Sequence, residues 1–490
     1  MDNPGDRSVR AARAVRMGPA RVAVDLSCGS ERGEYVCQDY ILRALGRPHR
    51  AVNLMYCYYP LDEGWPARAS ALPVPGGREA GFAWDYAYDD YFPYGGGIEG
   101  DTSGEPFGQM RDIRRHGQDV ILTLTVDCAV SNKQLERIAD DLRPFGRMFL
   151  RINHEATGTW FAFNKRYTYR RVADFFVRFH SIIKRRAPHV RTILCIGDDR
   201  PDAQGKMPYE DDFAQAIAAA DIWSADTYLA LHWGWPFDIA EPGGKTHKRV
   251  TNDSVLRGFL FEHTRFMARS GGKDRPFYIS EFNADGDVTG PFEQASQLAD
   301  LYRRLPLEAP CVKAVTMYQF RDRGRLGLEI EDPNCPHVGI AQPLLAEYKE
   351  IINSSPYLPV FTPGGAAEYP VPLRWGGSED ADGAEFTVVM EQIPVFCEVC
   401  FPQDISLNLM IEFCGAWFYK KPGVLSVDLM PAFFAQTPPQ TRSRELPLRL
   451  FAPPPCGVNL PEQGEGWETD YRAALTAPPE LRIRYSPVMP

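Results

Sequence analysis

The chain has 490 residues, of which 44% are hydrophobic, 24% charged and 12% aromatic, and this globular composition excludes a fibrous or fully disordered protein. At roughly 100–200 residues per domain, the length predicts one large and one small domain, or two of similar size. Lys and Arg number 54 against 64 Asp and Glu, so the net charge is −10. That charge argues against nucleic-acid binding, which depends mostly on cationic contacts to phosphate.

The sequence shows no apolar run of about 18 residues, the length that a membrane span requires. Its arginine-containing start has no apolar stretch of signal-peptide length. We therefore expect a cytoplasmic protein, or a secreted one if an export signal has been removed. The 11 cysteines are scattered, several of them in or beside apolar runs, which favours buried thiols in a reducing compartment.

Eight short and mostly continuous apolar runs predict strands that are buried on both faces; they span residues 21–27, 51–59, 119–127, 147–155, 190–197, 221–228, 276–282 and 312–320. Helical patterns lie between them at 132–143, 168–186, 211–220, 253–272 and 291–305, with Asp253 expected as an N-cap. This alternation predicts an α/β fold, a (β/α)8 TIM barrel over residues 21–352, preceded by an N-terminal arm at 1–20. A doubly wound sheet is the alternative, but DLSCGSERG after the first strand contains no GxGxxG fingerprint.

Residues 353–363 have the Pro- and Ser-rich composition of a linker, and residues 364–490 predict a β-rich, β-sandwich-like accessory domain. Alternating apolar and polar residues from 405 to 412 indicate a half-buried strand. We expect Phe433 and Phe434 to pack this domain on the barrel. A zinc site formed by four cysteines of the domain is an alternative interpretation, although their spacing is loose for a zinc site and buried thiols or a disulfide fit better. The four are Cys397, Cys400, Cys414 and Cys456.

Polar residues follow the predicted strands at the end of a barrel where catalytic groups lie. The fourth run ends in Glu155 and the seventh is followed by Glu281, so two carboxyls are expected to face the same mouth. Cleavage of an acetal needs two such carboxyls, one to protonate the leaving oxygen and one to attack the anomeric carbon or activate a water. Residues suited to holding a sugar accompany them; these are Trp160, His232, Trp233, Trp235 and Gln319.

Three segments resemble glycoside hydrolase family 26 in the clan A retaining glycosidases. LRINHEATGTWFAF (150–163) is similar to that family's strand-four motif, roughly RxxHExxGxWFxW. DTY (226–228) and RPFYISEFNADG (275–286) resemble its strand-six and strand-seven segments. The resemblance covers the barrel, residues 20 to about 350, and includes nothing in 364–490.

The resemblance implies that Glu155 is the acid/base and Glu281 the nucleophile. His154 would orient Glu155 or bind the sugar, and Arg151 would hold Glu281 ionised. Tyr228 would hydrogen-bond Glu281. A sugar-stacking wall would come from Trp160. The chain departs from the motif at Ala156-Thr157, at Phe163 and at Gln319, positions that belong to the walls of sugar subsites.

The sequence thus predicts a retaining glycoside hydrolase that cleaves β-glycosidic bonds of a β-mannan, xylan or β-glucan type of polysaccharide or oligosaccharide. We expect a carbohydrate as partner, no cofactor, no metal and no nucleic acid; the oligomeric state stays open. Two other hypotheses remain, a non-catalytic glycan-binding barrel and a metal-dependent barrel hydrolase. Binding without turnover would distinguish the first, and sensitivity to a chelator the second.

Overall fold

The computed structural model describes residues 9–28, 35–62, 92–158, 167–196, 209–232, 247–322, 324–390, 392–434, 444–455 and 470–486. Its strands in chain order are β1 (Val9–Gly18), β2 (Ala23–Ser27), β3 (Ala51–Tyr58), β4 (Phe92–Pro93), β5 (Asp119–Val126), β6 (Met148–Ile152), β7 (Val190–Ile196), β8 (Ile222–His232), β9 (His247–Arg249), β10 (Phe277–Ala284), β11 (Val312–Met317), β12 (Arg321–Asp322), β13 (Glu329–Asp332), β14 (Cys335–Ala341), β15 (Val360–Ala366), β16 (Val371–Gly377), β17 (Asp380–Met390), β18 (Phe396–Cys400), β19 (Leu409–Phe413), β20 (Ala416–Lys420), β21 (Ser426–Asp428), β22 (Arg444–Phe451), β23 (Tyr471–Leu475) and β24 (Glu480–Arg484).

The α-helices are α1 (Gln38–Leu45), α2 (Phe107–Arg115), α3 (Asn132–Leu142), α4 (Tyr169–Arg186), α5 (Glu210–Ala219), α6 (Asn252–Arg269), α7 (Gly286–Thr289), α8 (Pro291–Glu308), α9 (Pro343–Ile352) and α10 (Pro431–Phe434). Short 3₁₀ helices span Arg143–Phe145 and Ser355–Tyr357. Among the residues described, no helix is long and apolar enough to cross a membrane.

Eight parallel strands form a closed barrel in the order β2-β3-β5-β6-β7-β8-β10-β11, and β11 pairs with β2 to complete the ring. Each of these strands overlaps one of the eight predicted runs, and β3, β5 and β10 are buried along their whole length. The runs are continuous rather than alternating because helices cover the outside of the barrel while side chains fill the inside. The predicted TIM barrel is confirmed.

A layer of side chains, one from each barrel strand, fills the amino-terminal half of the barrel; it consists of Ala23, Ala51, Ile121, Phe149, Ile193, Ile222, Tyr278 and Ala314. Arg50 lies against this layer with its guanidinium 4.8 Å from the Phe149 ring centroid and 4.6 Å from that of Tyr278. Its Nε also donates to Asp25 Oδ1 at 2.9 Å. These contacts fill the lower part of the barrel, so a site can form only toward the carboxyl ends of the strands.

The accessory domain consists of antiparallel sheets. An eight-stranded sheet contains β15-β1-β17-β22-β19-β20 with β16 and β23, and a three-stranded sheet contains β21-β18-β24. Apolar residues from both sheets share one core, for example Val388 and Ile411 with Val399. This arrangement confirms the predicted β-sandwich-like domain.

The first strand belongs to the accessory sheet although it precedes the barrel in the chain. β1 pairs antiparallel with β15 on one side and with β17 on the other. Val15 and Met17 are buried at the contact between the two domains. The segment interpreted from sequence as an arm therefore supplies an internal strand, and the segment 353–363 contains a 3₁₀ helix and the start of β15.

The contact between the domains differs from the predicted one. Phe434 is 79% exposed and Phe433 packs edge-to-face against Phe413 in the accessory core, so the expected contact of these phenylalanines with the barrel is wrong. Trp375 and Met410 approach the barrel instead, at Gly117 in the loop after α2. A Cβ at Gly117 would lie 2.9 Å from Trp375 Cζ2, and the residue has φ +75°, so glycine is required there.

Two local predictions also change. The strand predicted over 405–412 begins at Leu409 and is buried on both faces, because its outer face packs toward the barrel through Met410. The alternation over 405–412 therefore does not mark a half-buried strand, and Ile405 lies in a loop with 41% of its surface exposed. The N-cap of α6 is Thr251, whose side chain accepts from Ser254 N at 3.2 Å; Asp253 instead pairs with Arg304.

Cys397 and Cys400 are buried free thiols in the part of the accessory domain that the structure describes, and Cys414 is half-buried there. Burial raises the pKa of the Cys397 thiol to about 12 and that of Cys400 to about 11, so both are protonated at neutral pH. Cys456 lies outside the described residues.

Candidate active site

The site lies at the mouth of the barrel, at the ends of β6, β8 and β10. Arg151 is near the end of β6, Asp226 and Tyr228 are on β8, and Glu281 is on β10. Glu281 pairs in register with Asp226. Residues two apart on a strand point to the same face, so Asp226 and Tyr228 both reach the barrel axis.

Glu281 is held on both carboxylate oxygens. Arg151 Nη2 donates to Oε1 at 2.5 Å, and Tyr228 OH donates to Oε2 at 2.7 Å. His154 Nδ1 lies 3.1 Å from Oε1. The residue is 4% exposed, so these partners replace water almost completely and fix the orientation of the carboxylate.

The pKa of Glu281 lies below the usual range of a glutamic acid. Burial alone would raise it, but the electrostatic interactions and hydrogen bonds of Glu281 with His154 and Arg151 outweigh that effect. Glu281 is therefore ionised at neutral pH. Burial lowers the pKa of His154, which favours its neutral form.

Glu155 lies on a turn directly after β6 with backbone angles that are uncommon for its residue type. Its φ is 42°, and Asn153 two residues earlier has φ 52°. The Asn153 side chain anchors this turn by accepting from Val126 N at 2.8 Å. Such backbone conformations occur where surrounding structure holds a residue for its function, and here they occur on the turn that carries Glu155.

One imidazole ring separates the two glutamates. His154 Nδ1 faces Glu281, while its Nε2 lies 3.9 Å from Glu155 Oε2. Glu155 has a side chain 15% exposed, compared with 6% for Glu281. The site therefore contains one carboxylate enclosed by hydrogen-bond donors and a second carboxyl nearer to solvent.

Arg151 supplies the positive charge at the centre of the site. Its side chain is fully buried, and besides Glu281 it contacts Asp226 Oδ1 at 3.2 Å and the imidazole of His154. Asp226 is 2% exposed, and burial raises its pKa to about 8, with the charge of Arg151 opposing the shift and Glu281 adding to it. Two carboxyl groups thus share one guanidinium.

Donor atoms of His154, Glu155 and Asp226 converge within 4.8 Å of one another, as in a metal site. The guanidinium of Arg151 contacts both His154 and Asp226. A second cation beside it would meet electrostatic repulsion, so this donor set fits a resident metal poorly.

The structure brings together five of the residues that the sequence singled out: Arg151, His154, Glu155, Tyr228 and Glu281. His232 is the last residue of β8. Gln319 follows β11, is fully buried, and donates from Nε2 to Asp322 Oδ1 at 3.2 Å. Trp160, Trp233 and Trp235 lie outside the described residues.

Sequence reasoning missed the part played by Asp226. The DTY segment was noted for its tyrosine, yet the aspartate two positions earlier lies on the same face of β8 and pairs with Arg151. The two-residue spacing at a strand end was the available signal.

No protein-family model matches the chain, and no curated protein matches its sequence. Among solved structures it is similar to a family 39 glycoside hydrolase from Bacteroides cellulosilyticus, with 12% identity over 89% of this chain and 81% of that one, TM-score 0.39. An alpha-L-arabinofuranosidase from Thermotoga maritima shares 10% identity over 91% and 98%, TM-score 0.44. A glucosidase from Croceicoccus marinus shares 9% over 89% and 96%, TM-score 0.45. Identities this low do not establish the reaction of this chain, which has to be argued from the side chains of the site.

Proposed function

We propose that this protein is a retaining glycoside hydrolase in which Glu281 is the nucleophile and Glu155 the acid/base. The substrate class is a β-linked polysaccharide or oligosaccharide of the β-mannan, xylan or β-glucan type, as the motif resemblance implies. One observation carries the proposal: a buried glutamate is held ionised at the barrel mouth, with a second carboxyl across a single imidazole ring.

The surroundings of Glu281 suit a nucleophile. An attacking carboxylate must be ionised and correctly oriented before the substrate arrives. Arg151 and Tyr228 donate to different oxygens of Glu281, which fixes the plane of its carboxylate. Transfer of the sugar neutralises this carboxylate, and the same donors stabilise the charge again when the sugar leaves.

The position of Glu155 suits proton transfer. Its side chain is more exposed than that of Glu281, and it lies on the turn directly after β6. An acid/base residue must reach the leaving oxygen in the first step and a water in the second, so it needs access to solvent. Retention by this pair calls for carboxyl groups about 5–5.5 Å apart, and inversion for about 6.5–9.5 Å.

A panel of defined β-linked oligosaccharides and their activated aryl glycosides tests the proposal. We expect turnover of at least one sugar class with retention of the anomeric configuration, followed by NMR of the first product. Glu281→Ala should abolish turnover, and added azide should restore cleavage of the aryl glycoside, giving a glycosyl azide of inverted configuration. Asp287→Ala, on the short helix α7 that follows β10 and with a side chain 30% exposed, is the matched control that should retain activity.

Three results would contradict the proposal. Inversion of configuration would exclude a covalent intermediate on Glu281. Activity of Glu281→Ala near the wild-type level would exclude this residue as the nucleophile. Loss of all activity on treatment with a chelator would favour the metal-dependent hydrolase instead.

A further inference from the structure

Two acidic side chains in the site contact the same buried cation. Arg151 reaches Asp226 through Nη1 at 3.2 Å and Glu281 through Nη2 at 2.5 Å. All three side chains are at most 6% exposed. Ionisation of both carboxyls would leave a net negative charge without solvent to stabilise it, and burial makes such a charge costly.

Among the described residues, Asp226 also accepts hydrogen bonds from the Cys195 thiol and the Glu281 backbone, which favour its ionised form but bring no positive charge. His154 Nδ1 lies 3.7 Å from Asp226 Oδ2, and the buried imidazole favours its neutral form. Cys195 on β7 faces Asp226, and burial raises the pKa of its thiol, so it too is uncharged. Arg151 is therefore the positive charge that both carboxyls face.

In the free protein, Glu281 interacts more strongly with Arg151 than Asp226 does. It accepts from Tyr228 as well, at 2.7 Å, and its contact with Arg151 is shorter than that of Asp226. A protonated Asp226 beside an ionised Glu281 gives the buried group a net charge of zero.

Resting on the proposed function, we propose that Asp226 replaces Glu281 as the counter-ion of Arg151 whenever Glu281 carries the sugar. Asp226 is a positioning residue in this account, because it acts on the reaction through Arg151. It keeps the guanidinium in place while Glu281 is an ester.

The charges balance in each step. In the first step a Glu281 oxygen bonds to the anomeric carbon, and the glycosidic bond breaks with its electron pair on the leaving oxygen, which takes the proton of Glu155. Glu281 is then neutral, and Asp226 gives its proton to solvent water and becomes the anion beside Arg151. In the second step water attacks the anomeric carbon, Glu155 takes a proton from that water, Glu281 leaves as a carboxylate, and Asp226 takes a proton back from solvent.

The protonation of Asp226 can be measured without any substrate. Glu281→Gln imitates the neutral, esterified side chain. With ¹³C-labelled aspartate carboxyls, infrared difference spectra between labelled and unlabelled protein report the protonated-acid band of aspartates alone. At pH 6 we expect the wild type to show such a band, assigned by its loss in Asp226→Asn. The band should also be lost in Glu281→Gln, where Asp226 is ionised.

Tyr228→Phe is the matched control, since it removes a partner of Glu281 and leaves both carboxyls present. It should retain the Asp226 band. Absence of the band in the wild type would overturn the proposal, and so would its persistence in Glu281→Gln. The infrared spectra do not depend on catalysis. If no substrate in the panel were turned over, the proposed function would be refuted and the spectra could still be interpreted. If the infrared test failed, the proposal of retaining hydrolysis would still stand.

Discussion

Replacing Arg151 with methionine removes the buried guanidinium that contacts both Asp226 and Glu281, and its cost follows from the structure. The guanidinium is fully buried between Asp226 and Glu281. Breaking a buried ion pair by removing one partner costs about 3–5 kcal/mol, because the other partner is left without compensation. We therefore expect Arg151→Met to lower the free energy of unfolding by that amount at pH 8.

The cost should shrink as the pH falls. In the wild type the depressed pKa of Glu281 contributes stability that is present above the pKa of an unfolded glutamate and is lost only in acid. In the variant, Glu281 loses the charge of Arg151, which helps to lower its pKa. Its pKa then rises, so this carboxyl takes up a proton more readily at pH 5 than at pH 8, which removes the buried negative charge. The difference between variant and wild type should therefore be smaller at pH 5 than at pH 8.

Urea denaturation at the two pH values measures this effect. Arg304→Met is the matched control, because Arg304 also contacts several carboxylates, Asp253, Asp300 and Glu308, but on the surface of α8, where solvent screens them. It should change the urea midpoint far less and with little dependence on pH. Equal losses for Arg151→Met at pH 5 and pH 8, or a loss no larger than that of the control, would refute the reasoning.

Other predictions concern the second glutamate and the contact between the domains. Glu155→Gln should slow substrates with poor leaving groups far more than activated aryl glycosides, since the latter need less protonation; steady-state rates on both classes check this, and equal losses would contradict the assignment. Trp375→Ala should cost about 3–5 kcal/mol in urea denaturation, because a fully buried side chain is removed from the contact beside Gly117. Removal of residues 1–20 should leave β15 and β17 without their shared partner and make 364–490 sensitive to limited proteolysis; a resistance equal to that of the full chain would contradict this.

The barrel could be predicted because its signals are local. Each strand is a run of residues buried on both faces, and each helix has an apolar stripe, so a short window of sequence is sufficient. The glutamate positions follow from the same windows, since a parallel barrel brings all carboxyl ends of strands to one mouth.

Long-range pairings could not be read in this way. β1 pairs with strands that begin at Val360 and Asp380, and no local pattern identifies a partner so far along the chain. The burial of β19 on both faces depends on contact with the barrel, which the sequence of the strand does not reveal. The pairing of Asp226 with Arg151 likewise depends on the closing of the barrel, so its role appears only in three dimensions.

Covalent trapping tests the central claim most directly. An activated 2-deoxy-2-fluoro glycoside of the sugar class that is turned over should slow both steps but the second more, so that the glycosyl-enzyme accumulates. The account predicts that intact-mass analysis finds one added fluorosugar per chain and that peptide mapping places it on Glu281. A label on any other residue, or retention of configuration without a label on Glu281, would contradict the account.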